Sequence, residues 1–334
     1  MAKFTQQELI GLVTSALERA GVPEKNSKII ADVTVMAQMR GVTSHGVQMS
    51  PVYLERIRQG GIDPKAEPAA ETRGQGLWLV DGNGSFGQLT AHLAAELIEK
   101  ALKNGELCVV GVRNANHCGM LAYYTQMLAR AGGVGFMTSN TNPNTAAFGG
   151  AEKVLGTNPF SIAFPTAGEP ITIDMATTAL AKGKLYEYAE KGVSIPEGIA
   201  VDREGYPVTD PKQALSGILL PFAGYKGYAI SLAVELLSGV LTGAGYSKQV
   251  HSLHQDMDKQ QNVGMLLAGI PVCAFMTREE YNARVSDLEA IIKDGKKAAG
   301  VERIYFPGEL EAQKLAANRT GTMELDDKLV QALQ

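Results

Sequence analysis

The chain has 334 residues, 45% of them hydrophobic and 20% charged, with a formal net charge of −4. That length exceeds what one hydrophobic core usually serves, so at least two packed units are expected; the composition excludes disordered and fibrous classes. Scattered basic residues on an acidic chain exclude nucleic acid as a partner, and three cysteines without paired spacing (Cys108, Cys118, Cys273) exclude a secreted disulfide framework and point to the cytoplasm.

From residue 5 to about residue 60 the apolar residues recur at helical spacing: Leu9, Leu12, Val13 and Leu17, then Ile29, Ile30, Val33 and Met36, then Val52, Leu54 and Ile57. This predicts a helical N-terminal region. Its first residues form an amphipathic helix without the apolar core and cleavage site of a signal peptide, so export by that route is not expected. Residues 62–71, with Pro64 and Pro68, read as a linker, placing a boundary at Glu71.

Strand and helix signals then alternate, the grammar of an α/β layer: strand 77–80, helix 89–104, strand 107–112, helix 121–131, strand 134–138, further strands at 161–164 and 171–174, and a helix from Leu180. The apolar stretch 227–245 is interrupted by Glu235, Ser238 and several glycines. That is wrong for a membrane span, so a helix over 228–241 is read as crossing the core. Residues 250–262 read as a mobile surface loop. A strand at 272–276, an exposed helix at 279–294, a strand at 303–306 and a last helix at 326–333 follow, the last returning to the N-terminal helices.

Gly82, Gly84 and Gly87 imitate a dinucleotide-binding fingerprint between strand and helix. The acidic residue that should close the next strand and hold the ribose is missing, since that strand ends at Arg113; turn geometry with positive φ accounts for the glycines. His45, in Thr43-Ser44-His45-Gly46, places an imidazole beside a hydroxyl. His117, in Asn114-Ala115-Asn116-His117-Cys118-Gly119, follows a strand end, where α/β sites gather. Either imidazole can exchange a proton near neutral pH; equally, His45 can be a packed groove residue and His117 a strand-end histidine capped by the two asparagines.

A nucleophile pair of Ser44 and His117 has no supporting elbow spacing. His251 and His254, followed by Asp256 and Asp258, lack the spacing of a helical zinc site, and a solvated loop is the preferred reading, with no metal expected. The turns 156–159, 174–178 and 221–227, rich in small and hydroxylic residues, expose backbone N–H groups of the kind that hold a pyrophosphate, and each also reads as plain turn chemistry.

Six ordered strings, TSHG at 43–46, RNANHCG at 113–119, LGTNPFSIAFP at 155–165, DMATTALAKGK at 174–184, GYKGYAISLAVELLSGVLTGA at 224–244 and IYFPGELE at 304–311, together resemble the malate/L-lactate dehydrogenase family of the non-Rossmann type. The resemblance implies an α/β fold with a non-Rossmann NAD(P)-binding sheet domain (72–309) and a helical domain formed by both chain ends (1–71 with 310–334). It implies a homodimeric, NAD- or NADP-dependent enzyme that interconverts small 2-hydroxy and 2-oxo acids of the malate, lactate, sulfolactate or ureidoglycolate type. A cyclic imino acid reductase and a catalytically silent dinucleotide-binding protein are the alternatives.

Carried over by position, the resemblance makes His45 and His117 the catalytic candidates, with Ser44, Arg56 and Asn116 toward the substrate. The cofactor would contact Asn140, Thr141, Thr172, Ile173, Asp174, Met175, Ala176, Thr177, Thr178, Tyr225, Lys226, Pro307, Gly308 and Glu309. One departure matters: the arginine common in the family five residues after the serine of SHG is Met49 here. Thioether cannot hold a carboxylate as guanidinium does, so either the substrate carboxylate is held otherwise, with Arg40, Arg56 and Arg113 as alternatives, or the substrate differs from the common ones.

Overall fold

The computed structural model describes residues 1–180 and 182–334, with the side chains of residues 182 and 183 left aside. A short strand β1 (Ala2–Phe4) leads into helices α1 (Gln6–Arg19), α2 (Glu24–Met39) and α3 (Ser50–Gln59). Thr5 and Glu8 close a capping box on α1, each side chain accepting from the other's backbone N–H, which satisfies donors the first turn leaves open.

The α/β part follows with β2 (Ala69–Gly74), β3 (Leu77–Asp81), α4 (Gly87–Lys103), β4 (Cys108–Ala115), α5 (Leu121–Arg130), β5 (Gly133–Ser139), β6 (Phe160–Phe164) and β7 (Ile171–Met175). The expected boundary at Glu71 falls inside β2. A smaller insertion holds α6 (Lys182–Lys191), β8 (Ala200–Val201), β9 (Pro207–Val208), α7 (Pro211–Ser216) and β10 (Ile218–Leu219). The helix expected from Leu180 is α6, and its passage through residue 181 lies outside the described residues. Next come α8 (Tyr225–Glu235), continued by a π-helical turn over Leu236–Val240, β11 (Val263–Pro271), α9 (Arg278–Lys293), α10 (Glu309–Thr320), β12 (Met323–Leu325) and α11 (Asp327–Leu333).

The main sheet has the order β2-β3-β4-β11-β5-β6-β7. Only β3 and β4 pair in parallel, joined by the α4 crossover; the other neighbours are antiparallel. A doubly wound dinucleotide fold needs a parallel sheet with a switch point, so this mixed sheet is a different solution. β11 enters from 124 residues beyond the end of β5 to sit between β4 and β5. Its run VGMLLAGIP is buried on both faces, as a central strand should be. Ile98, Leu102, Val110, Val112, Leu128, Met137, Met265 and Leu267 form the core between this sheet and α4 and α5. A second core joins the two chain ends: Leu9, Val13, Leu17 and Ile30 pack with Leu315, Met323 and Leu333, and β1 pairs with β12, Ala2 opposite Leu325.

Four expectations are corrected. Residues 272–276 are not a strand; ladder pairing ends at Pro271 opposite Gly133, and a 3₁₀ turn (Val272–Ala274) follows. Residues 303–306 have no ladder partner. The helix over 228–241 does not carry its apolar side inward: Ser231, Glu235 and Ser238 are buried, while Leu236, Val240 and Leu241 are 49–67% exposed. Small residues face the sheet because the backbones nearly touch, a Cβ at Gly264 meeting Ser238 O at 1.9 Å. Residues 250–262 are not a free surface loop, since Val250 and Gln261 are buried and the guanidinium of Arg56 grips the segment from inside.

Candidate active site

Two loops bring the histidines together. His45 ends a 3₁₀ turn (Thr43–His45) after α2, and Gly46 lets that turn lie on α2, where a Cβ would meet Gln38 Oε1 at 2.4 Å. His117 follows β4. Its backbone N–H donates to Gln261 Oε1 at 2.9 Å, and Gln261 N–H donates to Asn116 Oδ1 at 3.0 Å. Asn116 Nδ2 donates to the carbonyls of Ser85, at 2.8 Å, and Gly84, at 3.2 Å. The glycine pattern thus has another purpose: a Cβ at Gly82 would meet Asn114 O at 2.5 Å, and one at Gly87 would meet Asn116 O at 1.9 Å. Only Gly84 of the three has positive φ, +75°. The glycines seat the loop against the segment that carries His117.

The two imidazoles stack with ring centroids 5.5 Å apart. Ser44 Oγ lies 3.0 Å from His45 Nδ1, and Tyr53 Oη, from α3, lies 2.8 Å from His117 Nδ1. Each ring therefore has its Nδ1 engaged and its Nε2 left for a ligand. Burial lowers the pKa of both; for His117, the positive character of His45, His254 and Arg56 adds to burial and brings it to about 3. Burial likewise raises Tyr53 above the usual phenol range and pushes the Cys118 thiol up to about 12. The resting site is a pair of neutral imidazoles beside a neutral phenol and a neutral thiol, which leaves no thiolate nucleophile. Ser44 bonds to His45, so a Ser44–His117 pair is not formed.

The expected substrate contacts divide. Ser44 stands in the site. Asn116 is 1% exposed with its amide committed as above, so it braces the backbone and is corrected as a substrate ligand. Arg56 is corrected too: it is fully buried, and its guanidinium donates to the carbonyls of Ser252 (3.3 Å), Leu253 (3.2 Å), Asp256 (3.0 Å) and Lys259. Arg40 pairs with Glu169 at 3.0 Å and Arg113 with Asp81 at 2.9 Å. Met49 is buried in the terminal core. Asn114 donates to Asp81, not to the His117 ring.

The stretches expected to meet the cofactor do converge. Thr177 N–H donates to Thr157 O at 2.9 Å, Phe222 N–H to Thr177 O at 3.0 Å, and Thr172 N–H to Pro307 O at 3.2 Å. Asp174 accepts from Ala122 N–H at 3.0 Å, tying the group to the helix that follows His117. Within it, Asp174, Met175, Tyr225, Lys226 and Pro307 are exposed, and Ile173, Ala176 and Gly308 half-buried. Thr178 Oγ1 is buried with no hydrogen-bond partner.

Other expected contacts are spoken for. Asn140 is fully buried, with Nδ2 on Gly245 O (2.7 Å) and near Glu235, and Oδ1 on Gly264 N–H. Thr141 Oγ1 accepts from Thr157 N–H, and the Oγ1 of Thr172 and of Thr177 donate to Pro170 O and Thr157 O. Glu309 accepts from Phe306 N–H and pairs with Arg303 and Lys293. These side chains hold the turns in place, leaving their backbones as the contacts they can offer. A cavity of about 620 Å³ opens beside the turn at Pro221, bordered by Phe148, Glu204 and Gly224. Among the described residues no three His, Cys, Asp or Glu gather as a metal-binding group, and Asp256 is bound to Ser252 N–H.

Sequence reasoning missed Tyr53 and Gln261. Tyr53 reads as one more apolar position of an amphipathic helix, and Gln261 reaches the site from 144 residues away.

Residues 4–334 match the family model described as malate/L-lactate dehydrogenase. The chain is 39% identical over 323 residues to the L-sulfolactate dehydrogenase of Methanocaldococcus jannaschii, covering 97% of this chain and 93% of that one. It is 33% identical over 332 residues to the ureidoglycolate dehydrogenase (NAD(+)) of Escherichia coli, covering 99% and 95%. The solved sulfolactate dehydrogenase of M. jannaschii superposes with a TM-score of 0.93 at 38% identity, over 99% of this chain and 95% of that one. With the mixed sheet, the paired imidazoles and these likenesses over nearly the whole length, the chain belongs to the malate/L-lactate dehydrogenase family of oxidoreductases.

Proposed function

We propose that this protein is a cytoplasmic, homodimeric NAD- or NADP-dependent enzyme that interconverts a small 2-oxo acid and its 2-hydroxy acid, with His117 exchanging the proton. The observation that carries the reading is the arrangement at the histidines: His117 has Nδ1 held by Tyr53 and stacks on His45, so one imidazole nitrogen is left to meet a reacting oxygen.

The nicotinamide cofactor, when bound, supplies the hydride. The residues fit such a group: Thr178 Oγ1 is an orphaned buried hydroxyl, and Gly224, at φ +61°, opens the N-terminus of α8 where Tyr225 and Lys226 are exposed, a setting suited to phosphate. Ile173 to Thr178, Tyr225, Lys226, Pro307 and Gly308 would hold it. The protein's own contribution is position and proton. His117 holds a proton at the substrate oxygen in reduction and receives it in oxidation. His45, fixed by Ser44, orients the substrate. A substrate carboxylate near His117 raises the affinity of that ring for its proton, offsetting the burial that keeps it neutral in the empty site.

The homodimer is supported by the exposed apolar side of α8 and its π-helical turn, and by α9, a 16-residue helix with no buried residue, carrying Leu288 and Ile291 at 54% and 63% exposure. The cytoplasmic reading rests on three free cysteines, two of them buried.

The test is oxidation of NADH and of NADPH against a panel of 2-oxo acids and cyclic imino acids. Turnover is expected on a 2-oxo acid, with His117→Ala and His45→Ala each lowering kcat by ~10²–10⁴. Unchanged turnover in both variants would overturn the assignment.

A further inference from the structure

Glu235, the last residue of α8, is 4% exposed. Both carboxylate oxygens accept from neutral donors: Oε2 from Asn158 Nδ2 at 2.7 Å, and Oε1 from Ser247 N–H at 2.7 Å and, more weakly, from Asn140 Nδ2 at 3.4 Å. Taking a carboxylate out of water with no cation bonded to it is unfavourable, and a hydrophobic side chain of similar size would fill the space at less cost. The helix has apolar residues to spare, since it turns Leu236, Val240 and Leu241 outward. The acid at this position therefore serves something other than packing.

The contacts lead from Glu235 to the stretch expected to meet the cofactor. Asn158 is bound at both ends of its amide: Nδ2 donates to Glu235 and, at 3.0 Å, to Ser231 O, while Oδ1 accepts from Thr141 N–H at 3.3 Å. Its backbone has φ +36°, a region that non-glycine residues seldom occupy and that asparagine tolerates better than most. That angle sets where the preceding peptide points. The Thr157 carbonyl is thereby aimed at Thr177, accepting from its N–H and from its Oγ1, both at 2.9 Å. Thr157 N–H donates in turn to Thr141 Oγ1 at 2.9 Å. The packing leaves no slack, because a Cβ on Gly156 would lie 2.3 Å from Thr141 Oγ1 and 2.4 Å from Asn158 Oδ1. Glu235 stands at the far end of α8 from Gly224, roughly 16 Å along the axis, so its charge does not sit beside an anion bound at that N-terminus.

We propose that Glu235 is a positioning residue for the dinucleotide: through Asn158 it holds the strained peptide between Thr157 and Asn158 in the orientation that fixes the turn at 174–178. This rests on the reading of that turn as a cofactor contact. A carboxylate is required because every group bonded to it is a donor. Glu235→Gln keeps the shape and an acceptor for Ser247 N–H, but sets an amide NH₂ against Asn158 Nδ2, donor against donor. Asn158 is then released while the rest of the contact survives.

The experiment compares the full-length protein with Glu235→Gln and with Asn158→Gly, the second of which leaves the positive φ accessible but no longer enforced. Titration with NADH and with NADPH, followed by nicotinamide fluorescence, should show the tighter-binding dinucleotide weakened about tenfold in each variant, the loss expected for one hydrogen bond to a charged group. Adding Glu235→Gln to Asn158→Gly should weaken it by less than about a further twofold, because both act through one contact. With that dinucleotide saturating, kcat should stay within about threefold of wild type, the mark of lost binding rather than lost chemistry. With no dinucleotide present, hydrogen exchange should quicken at the Thr141 and Thr177 amides, while those of Met265 and Leu267, in the central strand β11, stay protected. Unchanged affinity in both variants, or lost protection in β11 as well, would overturn the positioning role. A folded wild type that binds neither dinucleotide would overturn the functional reading instead.

Discussion

Arg56 separates two readings of one residue, and replacing it by Met tests them. As a substrate ligand it would raise KM when lost and leave the fold intact. As a clamp it should do the reverse. The guanidinium donates to four carbonyls between Ser252 and Lys259 from a fully buried position. Four carbonyls left buried and unmet would cost ~1–3 kcal/mol each. The sum overstates the effect, because His254, Gln255 and Lys259 are exposed and the segment can lift into water. The loss is therefore capped by the free energy of opening residues 250–262, and about 3–5 kcal/mol is expected, the usual range for breaking a buried charged network. Urea unfolding measures it. Hydrogen exchange gives the location: the amides of His117 and Gln261, bonded to the Gln261 and Asn116 side chains, should lose protection. Stability within about 1 kcal/mol of wild type, with both amides still protected and KM raised, would refute the clamp.

Gly87→Ala places a methyl 1.9 Å from Asn116 O and 2.6 Å from the His117 carbonyl carbon; two backbones must part, so a loss above the ~1–3 kcal/mol of ordinary overpacking is expected by urea unfolding, together with a fall in kcat. Stability should also depend on pH through His117. Its pKa falls from 6.5 to about 3 on folding, so its contribution is full above about 6.5 and is lost as pH drops toward 3, with a slope between pH 6.5 and 5 of about 1 kcal/mol per unit. His117→Gln should remove that slope, as read from urea midpoints at the two pH values.

Much of the fold was legible where local pattern and burial agree. The amphipathic helices at the start, the strand 107–112 and the helix after His117 stand close to where their periodicity puts them. The pattern failed where burial is inverted or pairing is remote. The helix at α8 reads as core because it is apolar, yet its apolar side faces outward and its serines and Glu235 face the sheet. β11 lies at the middle of the sheet although nothing near it in sequence announces its partners. The histidines were legible because turns rich in polar residues after a strand or helix are where sites form. Tyr53 and Gln261 were not, because a residue that serves by touching a distant backbone or ring has no local signature.

The arginines carry the same lesson into substrate choice. Arg40, Arg56 and Arg113 each looked free to replace the guanidinium missing at Met49. Their partners lie 129, about 200 and 32 positions away, and each is taken. Arg56 still bears on the site through its field, as the smallest of the influences that, after burial, hold the His117 ring toward its neutral form, since its charge is met by carbonyl dipoles rather than by a directly bonded carboxylate. A field of that kind favours one anionic group near His117 without gripping a second. A 2-oxo monocarboxylate should therefore be preferred to the 2-oxo dicarboxylate of equal chain length. A second carboxylate without a bidentate partner forgoes a charge-assisted pair of ~1.5–3 kcal/mol, or at least about tenfold in kcat/KM. The comparison is run at two salt concentrations, because a field acting at a distance weakens with screening whereas a direct ion pair in a closed site does so less. A tenfold preference for the dicarboxylate, insensitive to salt, would mean that a guanidinium or ammonium reaches the substrate directly and that the reasoning from the three engaged arginines is wrong.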